Sequence, residues 1–162
     1  MAYMKRIIVL ITIIFLSTSS LYSQNKFTEA YYDKLTKISL NRLGDSIDDL
    51  LIVSDATRDR NEQIIIQYVN DKIMHSQTYI DWARENIILF YHTSKEARPY
   101  MVKRMKILRE RVLDNAITIA KEMGFVNNRQ TIYAGNEAKN NLRDAVELID
   151  LVIIEFESSS NY

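Results

Sequence analysis

The side chains that could carry acid–base or metal chemistry in this chain are two histidines, His75 and His92, and 21 acidic residues; there is no cysteine. A di-iron centre in a helical bundle needs Glu-x-x-His on each of two helices, but the residues three before the histidines are Lys72 and Leu89. A hydrolytic zinc site of the His-Glu-x-x-His type needs histidines four apart on one helical face, and here they are 17 apart. Covalent haem, thiolate metal sites and cysteine nucleophiles all fall with the missing cysteines. A haem held by one histidine and a core methionine needs only residues the chain has, yet a lone histidine on an apolar helix is far more often structural. Paired carboxylates for glycan cleavage must be judged by their separation in space, which spacing between separate helices does not give. No catalytic, cofactor-binding or metal-ligating set is assigned, and the chain is not expected to be an enzyme.

The elements that position these residues read as helices. Gly and Pro are scarce, 3 and 1 in 162 residues, and apolar residues recur three and four apart, the period of a helix and not of a strand. The spacing predicts four. The first runs from about Thr28 to Ala56, with Leu35, Leu40, Leu43, Ile47 and Leu50 inward and a break expected near Gly44, where Asp45 would restart it. The second starts near Asp59, since Asp59-x-x-Glu62 has the form of a capping box with Asp in place of Ser or Thr, and ends near Tyr91. Its inner stripe of Ile66, Val69, Ile73, Ser76, Ile80, Ala83, Ile87 and Phe90 is an a/d seam with one polar layer at Ser76.

A third helix is expected from Pro99, because the rival capping box Thr93-x-x-Glu96 would leave Pro99 beyond the first turn, where it removes a backbone hydrogen bond. Met101, Met105, Leu108, Val112, Ile119 and Met123 line its inner face, and Gly124 is placed to end it. The fourth, from about Gln130 to Glu157, turns Ala134, Ala138, Leu142, Ala145, Ile149, Val152 and Phe156 inward, with small residues at its start that allow close approach. Short links favour antiparallel neighbours, so the expected fold is all-α, an up-and-down four-helix bundle.

The second helix has more apolar surface than its seam needs. Tyr68, His75, Trp82 and Leu89 recur every seven residues beside the stripe, with Ile65 and Tyr79 adjoining. This row is covered either by a neighbouring helix or by an external partner, and exposed Trp and Tyr are the residues that dominate interfaces. Tyr68, His75, Tyr79 and Trp82 are therefore the candidate partner-binding residues. His75 lies one turn from Asp71, so a carboxylate–imidazole pair would make it a pH-sensitive element. A basic cluster runs from Lys95 to Arg111, seven cations against Glu96 and Glu110. The fourth helix has an excess of four acids, so neighbouring helices of opposite sign would offset each other. With Tyr100 the single aromatic residue in that cluster and no net positive charge, nucleic acid is not an expected partner.

The first 23 residues carry an address. Met1 to Arg6 is a short basic start, Ile7 to Leu16 an unbroken apolar run, and Ser17 to Ser23 a small-residue stretch, the layout of a secretory signal peptide; the Leu-Tyr-Ser/Gln boundary resembles those of exported proteins in some Gram-negative bacteria. Cleavage after Ser23 would leave a single helical-bundle domain of residues 24–162. The charge would then fall from zero to −2, since Lys5 and Arg6 leave with the leader. The apolar core is shorter than the roughly 20 residues a spanning helix needs. The alternative is an uncleaved anchor, residues 7 to 25 crossing a membrane and tethering a self-associating helical stalk; only then would the chain contact a membrane. The expectation is an exported protein, periplasmic or extracellular, with a binding or assembly role. Its partner would be another envelope or extracellular protein, or a second copy.

Overall fold

In a computed structural model, the backbone is described for residues 2–160 and the side chains for residues 28–159, and four helices carry nearly all of the chain. They are α1 (Ala2–Ala56), α2 (Arg60–His92), α3 (Arg98–Met123) and α4 (Arg129–Ser160). The side chains of the leader-like segment, residues 1–23, lie outside those described. Among the described residues no helix is long and apolar enough to cross a membrane.

Cross-helix bonds give the topology. Gln77 on α2 donates to the Leu40 carbonyl on α1, and seven residues later Arg84 pairs with Asp33, seven residues earlier. The same opposed progression joins α2 to α3 through Asn115–Ser76 and Asn86–Met101, and α3 to α4 through Arg109–Asp150 and Lys106–Glu157. Arg42 and Ser46 of α1 meet Asp144 and Asn141 of α4. Each helix is thus antiparallel to its neighbours in a ring α1–α2–α3–α4, with α2 and α4 also meeting across one diagonal.

The inner faces are those the spacing predicts. All eight residues of the α2 stripe and all seven of the α4 stripe are buried. On α3, Met101 is half-buried and the other five are sealed, while on α1 Leu43 and Leu50 are sealed and Leu35, Leu40 and Ile47 lie at the edge. Phe90 and Phe156 stack with ring centroids 3.6 Å apart at one end of the core.

Two local expectations are corrected. Gly44 does not break α1, because its backbone is helical and a neighbouring helix passes at ordinary distance. Only half of the capping box forms. The Asp59 carboxylate accepts from the Asn61 and Glu62 N–H groups at 2.8 and 3.4 Å, but the Glu62 side chain turns inward, where the Thr57 and Thr131 hydroxyls donate to it. The Thr57 hydroxyl accepts from the Asp59 N–H in its place. Gly124 ends α3 as expected, in a right-handed conformation with its N–H bonded to the Lys121 and Glu122 carbonyls. Pro99 falls in the first turn of α3 as expected.

Two hydrogen-bonded clasps cross the bundle. Ser76 is fully buried; its hydroxyl donates to the Lys72 carbonyl and accepts from Asn115 Nδ2 at 2.9 Å. Ser46 repeats this between α1 and α4, donating to the Arg42 carbonyl and accepting from Asn141 Nδ2 at 3.0 Å. In each clasp the asparagine also reaches the carbonyl that its serine uses.

Candidate binding surface

The row on α2 is partly open. Tyr68 and Trp82 are 41% and 43% exposed, and Leu89 is exposed too. His75 is exposed, and Tyr79 is half-buried against the core. Steps of seven residues drift only about 20° on a helix, so the four heptad positions form one stripe. Tyr79 and Trp82 meet with ring centroids 6.0 Å apart and a 58° tilt. Tyr68 stands apart, 14 residues or about 21 Å along the axis from Trp82, with the Lys72 ammonium 5.0 Å from its ring centre. His75 forms no ion pair with Asp71 among the described residues, where the histidine that meets a carboxylate is His92, 3.3 Å from Glu29. Asp71 and His75 are both exposed, and water competes for each.

The basic cluster of α3 divides by direction. Arg109 grips Asp150 with two bonds of 3.0 and 3.1 Å, and Lys106 pairs with Glu157. Asp150 and Glu110 beside the Arg109 guanidinium hold its pKa above the ordinary value. Arg98 donates to the Ser159 carbonyl and lies over the Phe90 ring. Lys103, Arg104 and Arg111 point away from α4, exposed and without an ion pair among the described residues. The Asn86–Met101 bond fixes their neighbours. Four residues back along α2 and four forward along α3, Trp82 falls level with Met105, between Arg104 and the exposed Ile107. Tyr100, more exposed still, lies one turn away. The α2–α3 face is therefore aromatic and basic together, a combination that is invisible while each helix is read by itself.

The α1–α4 face has the opposite character. Ile52, Val53, Ala56 and Tyr133 wall a groove of ≈ 400 Å³, with Asp49 and Arg129 at its rim. Ile52 and Tyr133 are 68% and 70% exposed. Asp45, Asp48 and Asp55 are exposed on the same stretch of α1, and Glu137 follows one turn after Tyr133. The Glu137 carboxylate raises the pKa of the Tyr133 hydroxyl that bonds to it.

Near the Phe90–Phe156 stack, burial and then the Glu155 charge push the Tyr91 hydroxyl well above the ordinary tyrosine range. Among the described residues no three His, Asp or Glu side chains converge as a metal site requires. Compared with family models, with curated proteins and with solved structures, the chain has no match.

Proposed function

We propose that this chain is an exported helical-bundle protein that works by non-catalytic binding, using the α2 face around Trp82. One observation carries the reading. Trp82, Tyr68 and Leu89 stand open on a helix whose inner stripe is otherwise sealed, and exposed aromatics beside cations are the residue types enriched at interfaces. The partner is another envelope or extracellular protein, or a second copy of the chain.

Export is supported by residues 1–23 and by the register of the bundle. Extending the Arg84–Asp33 pairing to the last residue of α2, His92, brings it level with residue 25 of α1. α2 ends at that level, so a cleavage after Ser23 falls outside the span over which the two helix backbones run side by side. The tethered alternative is favoured by the continuity of α1 from Ala2 into the bundle.

Two measurements test the proposal. Capture from an envelope fraction is compared for the wild type, Trp82→Ala and Tyr79→Ala; loss of a specific partner with the fold intact is expected, and unchanged capture removes the row from consideration. The mass of the purified chain separates the two attachments, since a polypeptide that begins at Gln24 carries no anchor.

A further inference from the structure

We infer that the partner of the α2–α3 face is the α1–α4 face of a second copy, so that the chain assembles head to tail. This rests on the binding role proposed for Trp82 and names its occupant. The two faces lie on opposite sides of the helix ring. One offers Trp82, Ile107 and Tyr100 with Lys103, Arg104 and Arg111, cations without an ion pair among the described residues; the other offers Ile52 and Tyr133 with Asp45, Asp49 and Glu137 against Arg129. Each therefore pairs an apolar centre with a charged surround, of opposite sign, as complementary interfaces do. The remaining groove, between α1 and α2, is walled by Leu51, Ile64 and Met74, with Arg60 and Asp71 along it.

Position along the axis sets the mode of assembly. Through the Arg84–Asp33 pairing, Trp82 is level with residue 35 of α1, 17 residues from Ile52, a rise of about 25 Å. Patches on opposite sides and at different heights do not close a two-fold dimer. Docking one on the other leaves a free patch at each end of the pair, the heterologous geometry that extends into a filament or closes into a ring.

Light scattering and sedimentation of the purified protein test this. At low salt the mass is expected to rise with concentration past that of a dimer. It should fall back to the monomer near 0.5 M NaCl, where charges are screened within about 4–5 Å. Trp82→Ala/Arg104→Ala and Asp49→Ala/Ile52→Ala change exposed residues, one face each, and each is expected to weaken assembly about tenfold or more while leaving the circular dichroism unchanged. Mixed together, the two variants retain one intact face apiece and should form a 1:1 pair that grows no further. A wild type that stays monomeric at low salt up to about 100 μM, or that halts at two copies, overturns the proposal. So does a monomer that floats with phosphatidylglycerol–phosphatidylethanolamine vesicles through the same Trp82 and Arg104. If the wild type is monomeric while Trp82→Ala still loses a captured envelope protein, head-to-tail assembly fails and the binding role stands.

Discussion

Asn115 on α3 donates to the Ser76 hydroxyl on α2 at 2.9 Å, deep between the two helices. Truncation to Asn115→Ala removes a buried donor and is expected to cost about 1–2 kcal/mol. The pair Ser76→Ala/Asn115→Leu, which leaves no polar group behind, should recover most of that loss. Asn141→Ala, at the more exposed α1–α4 clasp, should cost less. Denaturant midpoints of the three variants and the wild type give the comparison, and a double variant weaker than Asn115→Ala would refute it.

Two glycines in helix interiors should respond with opposite sign. A Cβ at Gly44 would meet only Gln77 Nε2, at 3.9 Å, so Gly44→Ala is expected to stabilise by about 0.5–1 kcal/mol. At Gly135 the added carbon would collide with the buried Met123 side chain. Overpacking of that kind costs about 1–3 kcal/mol, which offsets or exceeds the helical gain of about 1 kcal/mol. Thermal unfolding should therefore rise for Gly44→Ala and fall, or stay level, for Gly135→Ala.

Acid should weaken the α1–α2 seam. The Lys37 ammonium and the Arg84 guanidinium hold the Asp33 carboxyl below its ordinary 3.8. A carboxylate with a depressed folded pKa contributes stability in full above the unfolded value and loses it as pH falls toward the folded one. Asp33→Asn is thus expected to cost about 1 kcal/mol at pH 7, and the gap from the wild type should shrink below about pH 4. A gap that is constant from pH 7 to pH 2.5 would contradict this assignment.

Phe90 and Trp82 separate packing from recognition. Phe90→Ala removes a sealed ring from the stack on Phe156 and should cost about 3–5 kcal/mol. Trp82→Ala, at an open position, should change stability by about 1 kcal/mol or less. Chemical denaturation of both variants gives the comparison. A large loss at Trp82 would assign it to the core.

The sealed stripe of α2 was legible because one repeat, three and four apart, runs through eight residues from Ile66 to Phe90. Its polar layer at Ser76 was legible as well, but not the asparagine that completes it. Asn115 lies 39 residues away on a helix whose rotation about its own axis the spacing leaves open. Glu62 was misread for a related reason: local sequence offers it the Asp59 N–H, whereas the Thr131 hydroxyl that draws it inward lies 69 residues on. The aromatic row was visible residue by residue. Its neighbours Arg104, Ile107 and Tyr100 were not, because they meet it only once the register between α2 and α3 is fixed.

A neutral clasp holds α2 to α3, and another holds α1 to α4 beside the exposed Arg42–Asp144 pair, whereas α1 meets α2 through the less exposed Arg84–Asp33 and α3 meets α4 through Arg109–Asp150 and Lys106–Glu157. Dissolved ions shield charged groups and leave neutral, buried hydrogen bonds almost untouched. The molecule therefore has a grain, as timber does: brine slackens more of the joints between α1 and α2 and between α3 and α4 than of those on the other axis.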